Sequence, residues 1–100
     1  MTAQNELRLL PWSGPEDKPC YLSTGDRNGY MSRLADNIES EQLETAAELL
    51  KQASETLGDE HASPEDVRLL AKELTGALRD VLRVATSRGH RLDVSGPHCI

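Results

Sequence analysis

The chain contains no phenylalanine, and its 100 residues include only one tryptophan and two tyrosines. Any hydrophobic core must therefore be built from leucine, alanine, valine and isoleucine, which favours the packing of helix against helix. One hundred residues make one domain of ordinary size, and a thin aliphatic core in such a domain often gains burial from a second chain. The scarcity of aromatic residues thus predicts a single, mainly helical domain.

Cysteine and long apolar runs are also scarce. Cys20 and Cys99 are the only cysteines, so no disulfide framework is implied. No apolar run approaches the length of a membrane span, and the first residues have neither the basic segment nor the apolar run of an export signal. We therefore expect a cytoplasmic protein that does not associate with membranes.

Basic residues are also fewer than acidic ones. Seventeen acidic residues outnumber 11 basic ones, and the formal net charge is −6. A net negative charge opposes the attraction to phosphates that supplies most non-specific nucleic-acid affinity. General nucleic-acid binding is therefore disfavoured.

Residues 1–31 are predicted to form an extended cap. Two short extended runs, LRLLPW from Leu7 and CYLST from Cys20, are separated by the segment SGPEDKP, which contains two prolines and one glycine. The two runs predict an irregular β-hairpin. Pro11 suits only an edge or the end of a strand, because proline donates no hydrogen bond to a ladder.

Residues 32–57 are predicted to form the first helix. At about 100° per residue, one set of positions falls in a single arc of roughly 160°, while Glu41, Glu44, Glu48 and Glu55 gather on the opposite side. The positions in that arc are Met31, Leu34, Ala35, Ile38, Gln42, Ala46, Leu49, Leu50, Ala53 and Leu57. We expect Ser32 to cap this helix and Gly58 to end it.

Residues 63–88 are predicted to form the second helix, and its start is the sharpest local signal in the chain. In the segment SPED, Ser63 is a hydroxyl N-cap and Pro64 occupies the first helical position. The two acidic residues that follow lie where the helix dipole favours negative charge. Gly89 is expected to close the helix. The short GDEHA connection forces the two helices into an antiparallel hairpin.

Two such helices leave one apolar face of the pair open, and the N-terminal cap can cover only part of it. We therefore expect residues 1–90 to form a single domain. Its fold is mainly α: an antiparallel two-helix hairpin with a short N-terminal extended or β-hairpin cap, which dimerises into a four-helix bundle. Residues 91–100 show little periodicity and are expected to form a flexible tail.

The stretch KPCYLSTGDRNGY, residues 18–30, most resembles a ligand loop. Its glycine spacing fits neither a calcium-binding hand nor a phosphate-cradling loop, and the pair Asn28 and Gly29 is typical of a turn. No motif places an oxyanion hole or an orienting carboxylate near Cys20. None of the possible metal ligands shows paired short spacing. Those ligands are Cys20, His61, His90, His98 and Cys99. We therefore expect no catalytic residue, no cofactor and no metal.

The second helix carries a basic stripe, which consists of Arg68, Lys72, Arg79 and Arg83. Their spacings of four, seven and four place all of them within about 60° on a helical wheel. Residues 67–88 contain five basic and two acidic residues, whereas residues 32–57 have a net charge of −4. Charge is therefore segregated by helix.

Three interpretations of the basic stripe stay open. In the first, the stripe is a solvated face. In the second, it meets an acidic surface, which is either the first helix across a dimer axis or a partner protein. In the third, it contacts nucleic-acid phosphates. We predict a non-catalytic protein–protein interaction module, a regulatory or adaptor subunit, whose basic stripe contacts an acidic protein partner. Nucleic-acid binding through the same stripe is the alternative.

Two segments carry a resemblance over most of the chain. LRLLPWSGPEDKPCYLSTGDRNGYMSRLAD and ELTGALRDVLRVATSRG are together similar to small uncharacterised proteins of actinobacteria. The resemblance implies a cytoplasmic bacterial protein. It includes no catalytic motif and implies no activity, cofactor or functional residue.

Overall fold

The structure is a computed structural model that describes residues 7–23 and 29–93, with side chains described as far as residue 89. The elements follow one another as β1 (Leu7–Ser13), a 3-10 turn (Pro15–Asp17), β2 (Pro19–Ser23), α1 (Tyr30–Leu57) and α2 (Pro64–Asp93). The helical hairpin and the small antiparallel sheet predicted from the sequence are both confirmed.

The two strands form an irregular hairpin. β1 pairs with β2 in the antiparallel sense, with Leu7 opposite Ser23 and Leu9 opposite Tyr21. The register shifts between Leu9 and Ser13, the stretch that contains Pro11. Because proline has no N–H to donate, a regular ladder cannot run through this position.

The start of α1 differs from the sequence prediction. The helix begins at Tyr30, and its N-cap is Gly29, which makes no side-chain capping bond. Ser32 lies inside the first turn, where it is buried and its carbonyl accepts a hydrogen bond from Arg8 Nη1 at 3.1 Å. The prediction that Ser32 caps the helix is wrong, because a contact with β1 fixes this end. Gly58 ends α1 as predicted.

The start of α2 follows its sequence signal closely. The Ser63 hydroxyl accepts a hydrogen bond from the Asp66 N–H at 3.0 Å, which is the geometry of an N-cap. Glu65 and Asp66 both lie in the first turn, where their charge complements the helix dipole.

The other end of α2 extends beyond the predicted stop at Gly89. The helix continues to Asp93, so residues 91–93, which the sequence assigned to a tail, belong to α2. A glycine inside a helix costs only about 1 kcal/mol relative to alanine. The turn before Gly89 is held by Ser87, whose hydroxyl donates to the Leu9 carbonyl at 3.0 Å. Residues 94–100 lie outside the described part of the chain.

The buried apolar residues of the described segments are few and aliphatic. They are Leu9, Leu10, Ala35, Ala53, Leu70, Ala77 and Val84. Alanines on both helices allow α1 and α2 to approach closely, and β1 packs mainly on α2. Within the described ranges, neither helix is long and apolar enough to cross a membrane.

Candidate interaction surface

The four residues of the basic stripe lie in two different environments. Arg68, Lys72 and Arg79 are exposed on α2. Arg83, the member of the stripe farthest along the helix, has a side chain that is only 17% exposed. Three of the four predicted residues are therefore available at the surface.

Arg83 instead ties α2 to β1. Its Nη1 donates to the Pro11 carbonyl at 3.3 Å and to Asp80 Oδ1 at 3.2 Å, and its Nη2 donates to Ser13 Oγ at 3.3 Å. The Pro11 carbonyl also accepts a hydrogen bond from Gln42 Nε2 on α1 at 2.9 Å. One carbonyl of the irregular strand is therefore bonded to side chains from both helices.

These contacts lead to the first testable prediction, that Arg83→Gln destabilises the fold. The substitution removes a charged donor from part-buried partners, which costs on the order of 1–3 kcal/mol. Arg68→Gln, a matched change at an exposed position, should alter the free energy of unfolding by less than about 0.5 kcal/mol. Urea unfolding followed by circular dichroism compares the two at one protein concentration. Equal midpoints would contradict the clamping role of Arg83.

A buried ion cluster lies where β1 meets α1. Arg8 on β1 is buried, and its Nη2 lies 2.7 Å from Asp36 Oδ1 and 3.3 Å from Glu39 Oε2. Glu39 is only 1% exposed, and its Oε1 lies 3.5 Å from Arg88 Nη2 on α2. The Glu39 carboxylate therefore joins β1, α1 and α2.

The ion cluster has the chemistry of a structural element. The Glu39 carboxylate is buried and held between two guanidinium groups, which is typical of an ion pair that supports the fold. The sequence analysis did not predict this ion cluster. One signal was available, because Glu39 is four residues after Ala35 and three before Gln42 and therefore falls within the apolar arc of the helical wheel. A carboxylate in that position needs a buried partner.

A large apolar surface is exposed on the part of the hairpin that lies nearer to the connection between the two helices. Leu50 and Leu57 on α1 are 66% and 69% exposed, and Leu78 and Leu82 on α2 are 60% and 59% exposed. Between the helices lies a shallow groove of about 190 Å³. It is lined by Ala46, Leu50, Leu74, Ala77, Leu78 and Val81. We call the four leucines and this groove the apolar face.

The apolar face has the repeat of a helix-packing seam on both helices. On α1 the repeat is Leu43, Ala46, Leu50, Ala53 and Leu57, and on α2 it is Ala71, Leu74, Leu78, Val81 and Ala85. Alternating spacings of three and four are those of the a and d positions of a coiled coil. Arg83 and Ser87, which hold β1, lie about 100° to 180° around α2 from Leu78 and Leu82. The cap therefore leaves the α2 part of this face open.

The other sequence candidates stay apart from one another. Cys20 is half-buried, and its Sγ lies 3.3 Å from the position that a Cβ would take at Gly14. His61 is exposed, and its backbone N–H donates to Asp59 Oδ1 at 2.9 Å. Among the side chains that the structure describes, no group of three or more histidine, cysteine or acidic residues could hold a metal ion. The described part leaves out Asn28, the side chain of His90, His98 and Cys99.

Comparison of the chain with protein-family models, with curated proteins and with solved structures gave no match. No activity, ligand or partner therefore comes to this chain from a relative. On its described surface, the exposed part of the basic stripe lies beside the apolar face.

Proposed function

We propose that this chain is a non-catalytic protein–protein interaction module, a regulatory or adaptor subunit that binds an acidic protein surface through α2. The observation that carries the proposal is the apolar face, whose four leucines are each more than half exposed. Large contiguous apolar patches are uncommon on monomeric soluble proteins and often mark interaction sites. Arg68 and Arg79 lie about 40° and 60° around α2 from Leu82, so the basic stripe borders this face.

The proposal includes pairing of two chains into a four-helix bundle. Both helices of the hairpin carry an a and d repeat, and Leu50, Leu57 and Leu78 of that repeat stay more than half exposed, so the two-helix hairpin does not bury the whole repeat by itself. The small aliphatic core supports the same conclusion, because pairing would add buried leucines where one chain has few.

The exposed part of the basic stripe supports a partner with negative charge. In a complex of this kind the apolar centre supplies affinity, while complementary charge sets register and association rate. The alternative, nucleic-acid binding, would use the same three residues. Glu65 and Asp66 at the start of α2 and the net charge of −6 disfavour it.

Capture from native lysate, with and without nuclease, tests the function. The variant Arg68→Glu/Lys72→Glu/Arg79→Glu leaves Arg83 native because that residue clamps β1. We expect the variant to keep its helicity by circular dichroism and to lose the partner that the native chain captures, whether another protein or the chain itself. Capture that survives the charge reversal would remove the basic stripe from the function.

Nucleic-acid binding makes a separate measurable prediction. If Arg68, Lys72 and Arg79 neutralised three phosphates, the logarithm of the affinity for labelled duplex DNA would fall with log salt at a slope of about −2.7. A protein complex with an apolar centre should depend less on salt. Nuclease-sensitive capture with the steep slope would establish the alternative in place of the proposal.

A further inference from the structure

The outer edges of the two helices, which face away from each other, carry opposite charge. The acidic edge of α1 consists of Glu44, Glu48 and Glu55, and the basic edge of α2 consists of Arg68, Lys72 and Arg79. On a helical wheel each set lies within about 40° of the direction opposite to Ala53 or Leu70, the buried residues between the helices. The apolar face is therefore flanked by negative charge on one side and positive charge on the other.

A two-fold dimer through the apolar face has two possible axes in the plane of the interface. An axis parallel to the helices places α2 of each chain on α1 of the other. An axis perpendicular to the helices places α1 on α1 and α2 on α2. The first arrangement brings acidic and basic edges together, whereas the second brings like charges together, which is unfavourable across an interface.

We infer that the acidic surface bound by α2 is α1 of a second copy of this chain, with the two-fold axis parallel to the helices. The inference rests on the proposed function, whose partner it names. Every helix in this bundle is antiparallel to the helix it packs on, because α1 and α2 are antiparallel within each chain and the axis preserves direction.

The residues that line the groove show which positions of α1 and α2 lie side by side along the bundle axis. Ala46 and Leu50 line the groove together with residues between Leu74 and Val81, so position 46 of α1 lies level with about position 79 of α2. A two-fold axis parallel to the helices keeps those levels in the second copy. Leucines of one chain then lie over the groove of the other.

The charged edges match in this register. Arg79 lies between the levels of Glu44 and Glu48 of the second copy, and Arg68 lies near the level of Glu55 of the second copy. The register follows from the groove alone, and the charges were not used to set it. The match of opposite charges in a register set by the groove is the reason to prefer the two-fold axis parallel to the helices.

Lys51 is the one basic residue between Glu44 and Glu55 on α1. Its substitution distinguishes the two possible dimer axes. With the parallel axis Lys51 lies near the level of Lys72 and Arg79 of the second copy, so Lys51→Glu removes a repulsion and should tighten the dimer. With the perpendicular axis Lys51 meets the acidic edge of the other α1. There Lys51→Glu removes an attraction and should weaken the dimer.

Sedimentation equilibrium of charge variants tests the inference. At 50 mM salt, reversal of the basic edge to glutamate or of the acidic edge to lysine should each raise the dissociation constant at least about tenfold. The chain with both edges reversed should return to within about threefold of native. Lys51→Glu should lower the constant about two- to fivefold. In 1 M salt, where the screening length is about 3 Å, these differences should nearly vanish.

Glu73→Lys is the matched control, because Glu73 is exposed on α2 but lies away from the apolar face and both edges. It should leave the dissociation constant unchanged, and circular dichroism should show native helicity in every variant. Native self-association by the edge variants, or weakening by Lys51→Glu, would overturn the inference. The interaction function of α2 would then hold only if the native chain captures another acidic protein and the basic-edge variant does not. A monomeric chain that captures another acidic protein would overturn the inference and the pairing of two chains, and would leave only that interaction function. A monomer that captures nothing would contradict the inference and the whole proposed function.

Discussion

The double variant Leu78→Gln/Leu82→Gln is expected to stay folded and to lose self-association by at least about 100-fold. Both leucines are more than half exposed in the single chain, so the fold gains little from them. Full burial of a leucine contributes about 1.5–3 kcal/mol, and roughly half of that remains to be gained on pairing. Four such side chains in a symmetric dimer therefore contribute several kcal/mol, and each 1.4 kcal/mol corresponds to about tenfold in affinity.

The chain offers a matched control for this prediction in Leu69. It is 58% exposed on the same helix but lies about 180° around α2 from Leu78. Leu69→Gln should leave the dissociation constant within about threefold of native, as measured by sedimentation equilibrium. Urea unfolding should give each variant near-native stability at concentrations where all are monomeric. If Leu69→Gln dissociates the dimer as strongly as the double variant, the apolar face is not the interface.

The sequence predicted those parts of the fold that depend on local signals. The segment starting at Ser63 caps α2, and Gly58 ends α1, because capping chemistry involves only residues of one turn. The antiparallel hairpin follows from the short connection between the two helices. Long-range contacts account for the differences. Ser32 does not cap α1, and its carbonyl instead accepts a hydrogen bond from Arg8. Ser87 donates a hydrogen bond to β1 two residues before Gly89, where the helix was expected to end.

The same limit applies to the candidate site. A helical wheel groups Arg83 with the other basic residues correctly, but it contains no information on where β1 will pack. The structure places β1 on that side of α2, so Arg83 is used within the fold and the other three stay exposed. Glu39 is the converse case, since a glutamate within the apolar arc pairs with arginines that lie 31 residues before it and 49 after it. No local pattern could have named both partners.

The position of β1 also explains why the apolar face is open. Side chains from both helices bond to the carbonyls of Leu9 and Pro11, so the strand is fixed on the half of the hairpin that carries Arg83 and Ser87. Those bonds satisfy backbone groups that an edge strand would otherwise present. The polar contacts of β1 therefore cover one side of α2 and the first turns of α1, and they leave Leu50, Leu57, Leu78 and Leu82 exposed.

The buried ion cluster leads to the last prediction, that Glu39→Leu and Arg8→Met each destabilise the chain by about 3 kcal/mol. Removing one member of a buried ion pair leaves the other charge without compensation, which costs roughly 3–5 kcal/mol. The lower end applies here because Asp36 still contacts Arg8 in the first variant and Arg88 still contacts Glu39 in the second. The double variant should lose much less than the sum, since two apolar side chains then replace the pair.

A double-mutant cycle by urea unfolding at one protein concentration measures this coupling between Arg8 and Glu39. Asp36→Asn is the control, because Asp36 contacts the same guanidinium at 2.7 Å but its side chain is 64% exposed. An exposed partner should contribute no more than about 1 kcal/mol. If the two single losses add without coupling, or if Asp36→Asn costs as much as Glu39→Leu, the Glu39 carboxylate is not what joins β1 to the two helices. A coupling of a few kcal/mol together with a small effect at Asp36 would place the connection at Glu39.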